Sequence, residues 1–426
     1  MLGKILEETE PNPMSESAFP GLSLGVQELR ASEIRELLKL IARPEIISFA
    51  GGIPDPAIFP LEAIGASYQR VLADPALARD AFQYSISEGY VPLREWIAGY
   101  LQTHGIETGI ERILITSGAQ QAIDFLGRAL IDPGDRVVVT SPSYLGAIQV
   151  FNTHQPEFLS VPMDNEGVLL DELEAAFKQK PKFFYLTPDF CNPAGITTSL
   201  ARREAILQLA HQYGVAILED SPYEELRYEN VRIPSFAALE QRYLASPGND
   251  GRRLVVYIGS LSKVLTPALR IGWINADPAL INKLVLLKQA SDLHCSTINQ
   301  MVACDIAKAS HASQVQKLRK AYKERRDVML ETLERCLPKE VRFTHPDGGM
   351  FIWLEFPDGI DGAELLAEAV KDTNVAFVPG SAFYATEPKR NTARLSFSLG
   401  EPARIREGIE RLAALLQNKL RANRAA

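Results

Sequence analysis

The chain has 426 residues, 46% of them apolar and 23% charged, with a net charge of −8; this is ample for two domains around a large core, and the acidic balance leaves no basic footprint for nucleic acid. The four cysteines, Cys191, Cys295, Cys304 and Cys336, form no CxxC pair and do not cluster with histidine at metal spacing, so they fit a reducing cytoplasm and no metal site is expected. The N-terminal stretch MLGKILEETEPNPMSESAFPG lacks an apolar signal core, and no apolar run reaches the roughly 18 residues of a membrane span, so neither secretion nor a membrane partner is expected.

Residues 1–30 read as a mobile tail. Ala31 to Ile41 reads as an amphipathic helix, with Ile34, Leu37, Leu38 and Ile41 on one face and Ser32 and Arg35 on another. Ile46 to Phe49 is β-like and runs into Ala50-Gly51-Gly52-Ile53-Pro54, a loop where backbone can approach a ligand closely. Phe82 to Tyr90 leads into a helix from Pro92 to about His104 and leaves Tyr84 outside regular structure, free to reach across an interface. Ile113 to Thr116 is a strand, and Ser117-Gly118-Ala119-Gln120 opens a helix from Gln121 to Leu130. Small residues at a helix N-terminus offer N–H groups and a favourable dipole to a phosphate, although a simple N-cap by Ser117 accounts for the same residues.

Further strands fall at Asp135 to Thr140, Phe158 to Val161, Lys182 to Leu186 and Val215 to Leu218. They are followed by Ser141-Pro142-Ser143-Tyr144, by Asn192-Pro193-Ala194-Gly195, and by Glu219-Asp220 with Tyr223 close behind. Leu254 to Ile258 ends in Gly259-Ser260-Leu261-Ser262 and then Lys263, and Arg270 stands just before the apolar run Ile271 to Ile274. Strands alternate with helices, and each is a short continuous apolar run, the pattern of a mostly parallel sheet covered on both faces. Ligands bind beyond the carboxyl ends of such strands. Ser117, Tyr144, Asn192, Asp220, Tyr223 and Lys263 all come from those ends. Pro278 to about Cys336 reads as long helices with a break. Strands within Val341 to Glu355, a helix Ala363 to Lys371, strands Val375 to Val378 and Ala393 to Ser398, and a last helix from Pro402 to about Lys419 form a smaller α+β unit. The expected division is 31–60 for an N-terminal helix and substrate loop, 61–305 for a large domain and 306–426 for a small one.

A lysine delivered at the end of a buried strand, flanked by hydroxyls and followed by an arginine, suits an aldehyde cofactor bearing a phosphate. Pyridoxal phosphate (PLP) needs an amine to hold its aldehyde, an acid at its pyridine nitrogen, a phosphate grip, and a base for the substrate α-proton. Lys263 is the expected amine and base, with Arg270 and burial lowering its pKa. Asp220 suits the pyridine nitrogen, Tyr223 and Asn192 can donate to the ring oxygen, and Tyr144 can stack on the ring. Arg394, charged within an apolar strand, wants a carboxylate partner. Taken singly, each has a plainer reading: a solvated lysine, a turn aspartate, an Asn-Pro turn, a surface arginine.

In this order, SGAQQ, SPSY, NPAG, EDSPY and SLSK, then Arg270 and Arg394, resemble the fold-type I, class I PLP-dependent aminotransferases. The stretches ASEIRELLKL, ISFAGGIPDPAIFP, QYSISEGYVPLR, SDLHCSTINQ, PDGGMFIWLE and VAFVPG resemble the 2-aminoadipate aminotransferase branch most. The resemblance implies a large domain with a mostly parallel seven-stranded sheet plus a smaller α+β domain, and a homodimer with shared active sites. It makes Lys263 the Schiff-base lysine and Asp220, Tyr223 and Asn192 the ring contacts. It builds the phosphate cup from Ser117, Gly118, Ala119, Gln120, Ser260, Ser262 and Arg270, with Tyr84 reaching in from the other subunit. It assigns Arg394 to the α-carboxylate, Gly52 to a loop touching substrate, and Ser32 and Arg35 to a mobile helix that reads an acidic side chain. The implied reaction is ping-pong transfer of an amino group from an L-amino acid, of 2-aminoadipate, glutamate, leucine or aromatic type, to a 2-oxo acid such as 2-oxoglutarate. Kynurenine/aromatic or branched-chain transamination is the alternative, and a non-catalytic aminotransferase-like regulator module a remote one. Cys191 and Ala194 replace the family's more usual Gln and Thr beside Asn192-Pro193, and Phe383 and Tyr384 are expected near the entrance, where they would favour apolar or aromatic side chains.

Overall fold

The computed structural model describes residues 45–229, 231–247 and 251–425, with positions 21, 23, 25 and 43. In chain order the main elements begin with β1 (Ile47–Ser48), α1 (Leu61–Ala73), α2 (Pro75–Phe82) and α3 (Val91–Thr103). A strand and helix alternation follows: β2 (Ile113–Ser117), α4 (Ala119–Leu130), β3 (Arg136–Ser141), α5 (Leu145–Asn152), β4 (Glu157–Asp164), β5 (Gly167–Val168), α6 (Leu170–Phe177), β6 (Phe183–Leu186), α7 (Leu200–Tyr213), β7 (Ala216–Asp220), α8 (Phe236–Leu244), β8 (Val255–Ser260) and β9 (Ile271–Asn275). Two helices, α9 (Pro278–Ser291) and α10 (Thr297–Cys336), lead to β10 (Arg342–Phe343), β11 (Phe351–Glu355), α11 (Gly362–Glu368), β12 (Val375–Ala376), β13 (Val378–Pro379), β14 (Thr392–Ser396) and α12 (Pro402–Ala425).

The larger sheet has the order β2-β9-β8-β7-β6-β3-β4-β5. It is parallel from β8 through β4, while β9 and β5 run against their neighbours. The expected seven strands are present, and an eighth, the two-residue β5, adds a short hairpin edge on β4. Register explains the continuous apolar runs. Val138, Phe184 and Ile217 lie side by side in one core, and Val139, Tyr185 and Leu218 lie side by side in the core on the opposite face. Because successive side chains alternate faces, a sheet covered on both sides needs an apolar residue at every position.

The smaller sheet, β10-β11-β14-β13, is antiparallel and has its own core. β1 pairs in parallel with β12, and Phe49 is bonded to both Ala376 and Ser396, so the segment entering the Gly51-Gly52 loop is stitched to the C-terminal part of the chain. The expected break in the helical stretch falls between α9 and α10, where Leu293 is left-handed at φ 63°. α10 packs on α1 and α3 and also on α12, spanning both units. Among the described residues no helix is long and apolar enough to cross a membrane.

Two boundaries matter for function. β7 does not stop at Leu218 but continues through Glu219 and Asp220, both buried. α4 begins at Ala119, and its N-cap is Gly118 at φ 76°; Ser117 is the last residue of β2 and caps nothing, which removes the plain N-cap reading of that serine.

Candidate active site

The carboxyl ends of β2, β7 and β8 bring Ser117, Asp220 and Ser260 to one edge of the larger sheet. The turn after β8 carries Ser262 and Lys263, and a 3-10 turn, Pro267–Leu269, ends in Arg270, which is held left-handed at φ 56° as the chain doubles back into β9. That doubling back lays Arg270 against the β2-to-α4 turn. Its guanidinium donates to the Ser117 carbonyl at 2.9 Å. A Cβ on Gly118 would lie 2.5 Å from that guanidinium, and one on Gly272 would lie 2.5 Å from the Gly118 carbonyl carbon. Only glycine fits at either position. No side chain caps α4, so its first N–H groups face the space beside Arg270. Ser260 Oγ accepts from the Ser262 N–H at 3.1 Å, fixing the turn ahead of Lys263. Gln120 donates to the Gly146 carbonyl at 2.9 Å and accepts from the Tyr144 hydroxyl at 3.1 Å, which ties the cup to the start of α5.

Lys263 Nζ donates to the Gly52 carbonyl at 3.0 Å and lies 6.0 Å from the centre of the Tyr223 ring. Burial, then Arg394 and Arg270, push its pKa down to about 8, against the pull of Asp220. Asp220 is 3% exposed. Its Oδ2 accepts from the Tyr185 hydroxyl at 2.6 Å, and its Oδ1 is buried with no partner. Burial raises this carboxyl to about 6, although Tyr185 and Lys263 favour the charged form. The Tyr223 phenol is driven well above its ordinary pKa, chiefly by burial, so it is a hydrogen-bond donor at neutral pH.

Arg394, on β14, reaches the same space from the smaller sheet. Its guanidinium donates to Asn192 Oδ1 at 2.8 Å and to the Ala50 carbonyl at 3.1 Å, and it lies over the Phe351 and Phe383 rings at 4.4 and 5.0 Å. Its Nε is buried and unpaired. Burial lowers the pKa to about 10, so the group stays a cation. Gly52 completes this corner, because a Cβ there would meet Phe351 at 3.0 Å and Arg394 at 3.6 Å.

Lys263, Asp220, Tyr223, Asn192, Gly52 and Arg394 are thus in one neighbourhood, with the Ser117 to Gln120 turn, Ser260, Ser262 and Arg270 beside it. Among the described residues Tyr84 is not brought there within its own chain: it is 79% exposed, and its ring meets that of His294 edge-on at 6.0 Å. Ser32 and Arg35 lie outside the described residues. Phe383 is wholly buried beneath Arg394 and Trp353, which corrects the expectation that it lines an entrance. Sequence reasoning missed Tyr185, the partner of Asp220. Parallel pairing sets Tyr185 beside Leu218, and Asp220 is two residues further along the same face, so register was the signal that would have found it. His104, Glu224 and Glu225 bring metal-type donors within 4.8 Å of one another. Those carboxylates already hold Tyr100, Tyr257, Arg232 and Arg319, and the group is an ion-pair network.

Comparison with known proteins gives the family. A sequence profile of the class I and II aminotransferases matches residues 52–412. The 2-aminoadipate transaminase of Thermus thermophilus is 42% identical over 397 residues, covering 93% of this chain and 96% of that protein. Aromatic-amino-acid aminotransferase 1 of Thermococcus litoralis is 41% identical over 414 residues, covering 95% of each. Among solved structures, the alpha-aminoadipate aminotransferase of Thermus thermophilus, complexed with N-(5'-phosphopyridoxyl)-L-leucine, has a TM-score of 0.86 and 40% identity, covering 94% of this chain and 98% of that one. With a strand-end lysine, a buried aspartate that keeps one oxygen without a partner, and a profile match over most of its length, the chain belongs to the class I and II aminotransferases.

Proposed function

We propose that this aminotransferase uses PLP to move the α-amino group of an L-amino acid to a 2-oxo acid such as 2-oxoglutarate, in two half-reactions at one site. The observation that carries the reading is Asp220 Oδ1, a buried carboxylate oxygen without a partner, next to a lysine whose pKa is pushed down to about 8. A buried acceptor left unpaired costs about 1–3 kcal/mol. A protonated pyridine nitrogen would satisfy it and would hold Asp220 in its charged form.

Bound PLP supplies the electron sink for bonds at the substrate Cα. The chain's own residues do the rest. The α4 N-terminus, Arg270, Ser260 and Ser262 bind the phosphate. Asp220, itself held by Tyr185, keeps the ring nitrogen protonated. Tyr223 and Asn192 donate to the ring oxygen. Arg394 pairs with the α-carboxylate, and the flanking Phe351 and Phe383 rings keep water from that ion pair, which strengthens it. Lys263 Nζ removes and returns the Cα proton, and a pKa of about 8 suits a base working near neutral pH. A second copy of the chain would bring Tyr84 to the phosphate, and the exposure of Phe82 and Ile86 beside it supports such a homodimer.

The names of the relatives point to 2-aminoadipate and aromatic amino acids as donors. The test is a visible absorption titration with L-2-aminoadipate, glutamate, aspartate, leucine, phenylalanine and kynurenine. Bleaching of the yellow cofactor band by donors, with recovery on adding 2-oxoglutarate, is the expected result, and the ranking names the substrate class. No band after adding PLP would overturn the reading.

A further inference from the structure

Behind the phosphate end lies a buried cation that the reaction does not use. Lys288, on α9, is fully buried. Its Nζ donates to Asp292 Oδ1 and Oδ2 at 3.0 and 3.1 Å, to Gln121 Oε1 at 3.1 Å and to Cys295 Sγ at 3.1 Å, and it lies 5.7 Å from the centre of the Phe125 ring. Gln121 is in the first turn of α4. Its Oε1 also accepts from the Ser117 N–H at 2.8 Å, while its Nε2 donates to Asp292 Oδ2 at 2.8 Å. The backbone of Ser117 is therefore held on both sides of its Cα: Gln121 accepts from its N–H and Arg270 donates to its carbonyl.

Taking a lysine amine out of water is costly unless it is paired and fully bonded. Here the pairing partner, Asp292, is also the second contact of Gln121, so cation, carboxylate and amide form one closed set. Its outlet toward the site is the Ser117 N–H. We propose that Lys288 is a positioning residue for the phosphate cup: acting through Gln121, it sets the Ser117-Gly118 turn so that the first N–H groups of α4 converge on the cofactor phosphate. This inference rests on the PLP reading above. The charge of Lys288 is largely cancelled by Asp292, so the effect is one of geometry.

The test compares two probes, PLP and pyridoxal, which share the aldehyde and ring but differ in the phosphate. Both are titrated into full-length protein stripped of cofactor, followed by absorbance. Wild type should bind PLP far more tightly than pyridoxal. In Lys288→Met, PLP affinity should fall about tenfold or more while pyridoxal affinity changes less than about twofold, as expected when the N–H groups that meet the phosphate lose their alignment and the contacts to the aldehyde and ring do not. Gln121→Leu should show the same selective loss and keeps the test decisive should Lys288→Met not fold. The double variant should be no worse than the weaker-binding single, because both act along one path. Equal loss of both probes would show a merely structural role and overturn the proposal, as would unchanged PLP affinity or additive losses. If wild type shows no preference for PLP, the cofactor reading itself fails; if that preference is present and survives in both variants, only the role of Lys288 fails.

Discussion

Two helix starts in this molecule receive opposite treatment. At α8 the protein finishes its own chemistry. Ser235 accepts from the Ala238 N–H at 3.1 Å, and the two Glu219 oxygens accept from the Phe236 and Ala237 N–H groups at 2.9 and 3.0 Å. At α4 it stops short, with Gly118 as an N-cap that has no side chain to offer. The same contrast divides neighbours on β7. Glu219 and Asp220 point to opposite faces, both are buried, and burial raises both pKa values, to about 8 and about 6. Glu219 spends both oxygens on backbone, whereas Asp220 keeps one unpaired. In these two pairs the group that holds the fold together is closed within the chain, and the group placed for a ligand is left open.

The sharpest way to break this comparison is to exchange the fates of the two carboxylates. Asp220→Ala should lower kcat on the order of 10³-fold, with a smaller loss of melting temperature than Glu219→Ala, since it removes one bond, from the Tyr185 hydroxyl, along with a carboxyl oxygen that had no partner. Glu219→Ala should do the reverse, lowering the melting temperature while kcat per folded molecule stays within a few-fold. Equal kinetic damage from both would erase the distinction. Next in size, Arg394→Leu should raise KM for amino and 2-oxo acids alike by about 10²-fold, and cofactor titration should show binding retained.

A pH profile sharpens the electrostatics of the open side. The neutral amine of Lys263 is the form that captures the cofactor, and its fraction rises with pH through about 8. The rate of PLP uptake by stripped protein should therefore climb with pH and level off above that midpoint. Arg394→Leu removes a cation that lowers this pKa, so the midpoint should move up. Asp220→Ala removes an anion that raises it, so the midpoint should move down. The smallest effect belongs to the closed side: Ser235→Ala should cost about 1 kcal/mol in urea unfolding and leave kcat unchanged.

The inner strands of the larger sheet were legible because they are buried on both faces and show as short apolar runs; β4, toward the edge, is only partly buried, and the two-residue β5 left no such signal. The end of β7 was harder to read. Glu219 and Asp220 look like the start of a loop, and only the Phe236 and Ala237 N–H groups and the Tyr185 hydroxyl make them tolerable inside a strand. Candidate site residues stood out by type and position, Lys263 and Asp220 where strands end and Arg394 as a charge inside an apolar strand. Their mutual contacts could not, because Arg394 meets Asn192 across 202 positions and Lys263 meets Gly52 across 211. The misplacement of Phe383 has the same origin: depth below the surface depends on what packs above, here Trp353 and Arg394, which are distant in the chain.

The central claim is that one lysine, Lys263, holds the cofactor. The most direct test is to load the full-length protein with PLP, reduce it with borohydride and map the modified peptide by mass spectrometry. A single phosphopyridoxyl group on Lys263 is the predicted result, and it should vanish in Lys263→Ala. A label on another lysine, or none at all, would contradict the account.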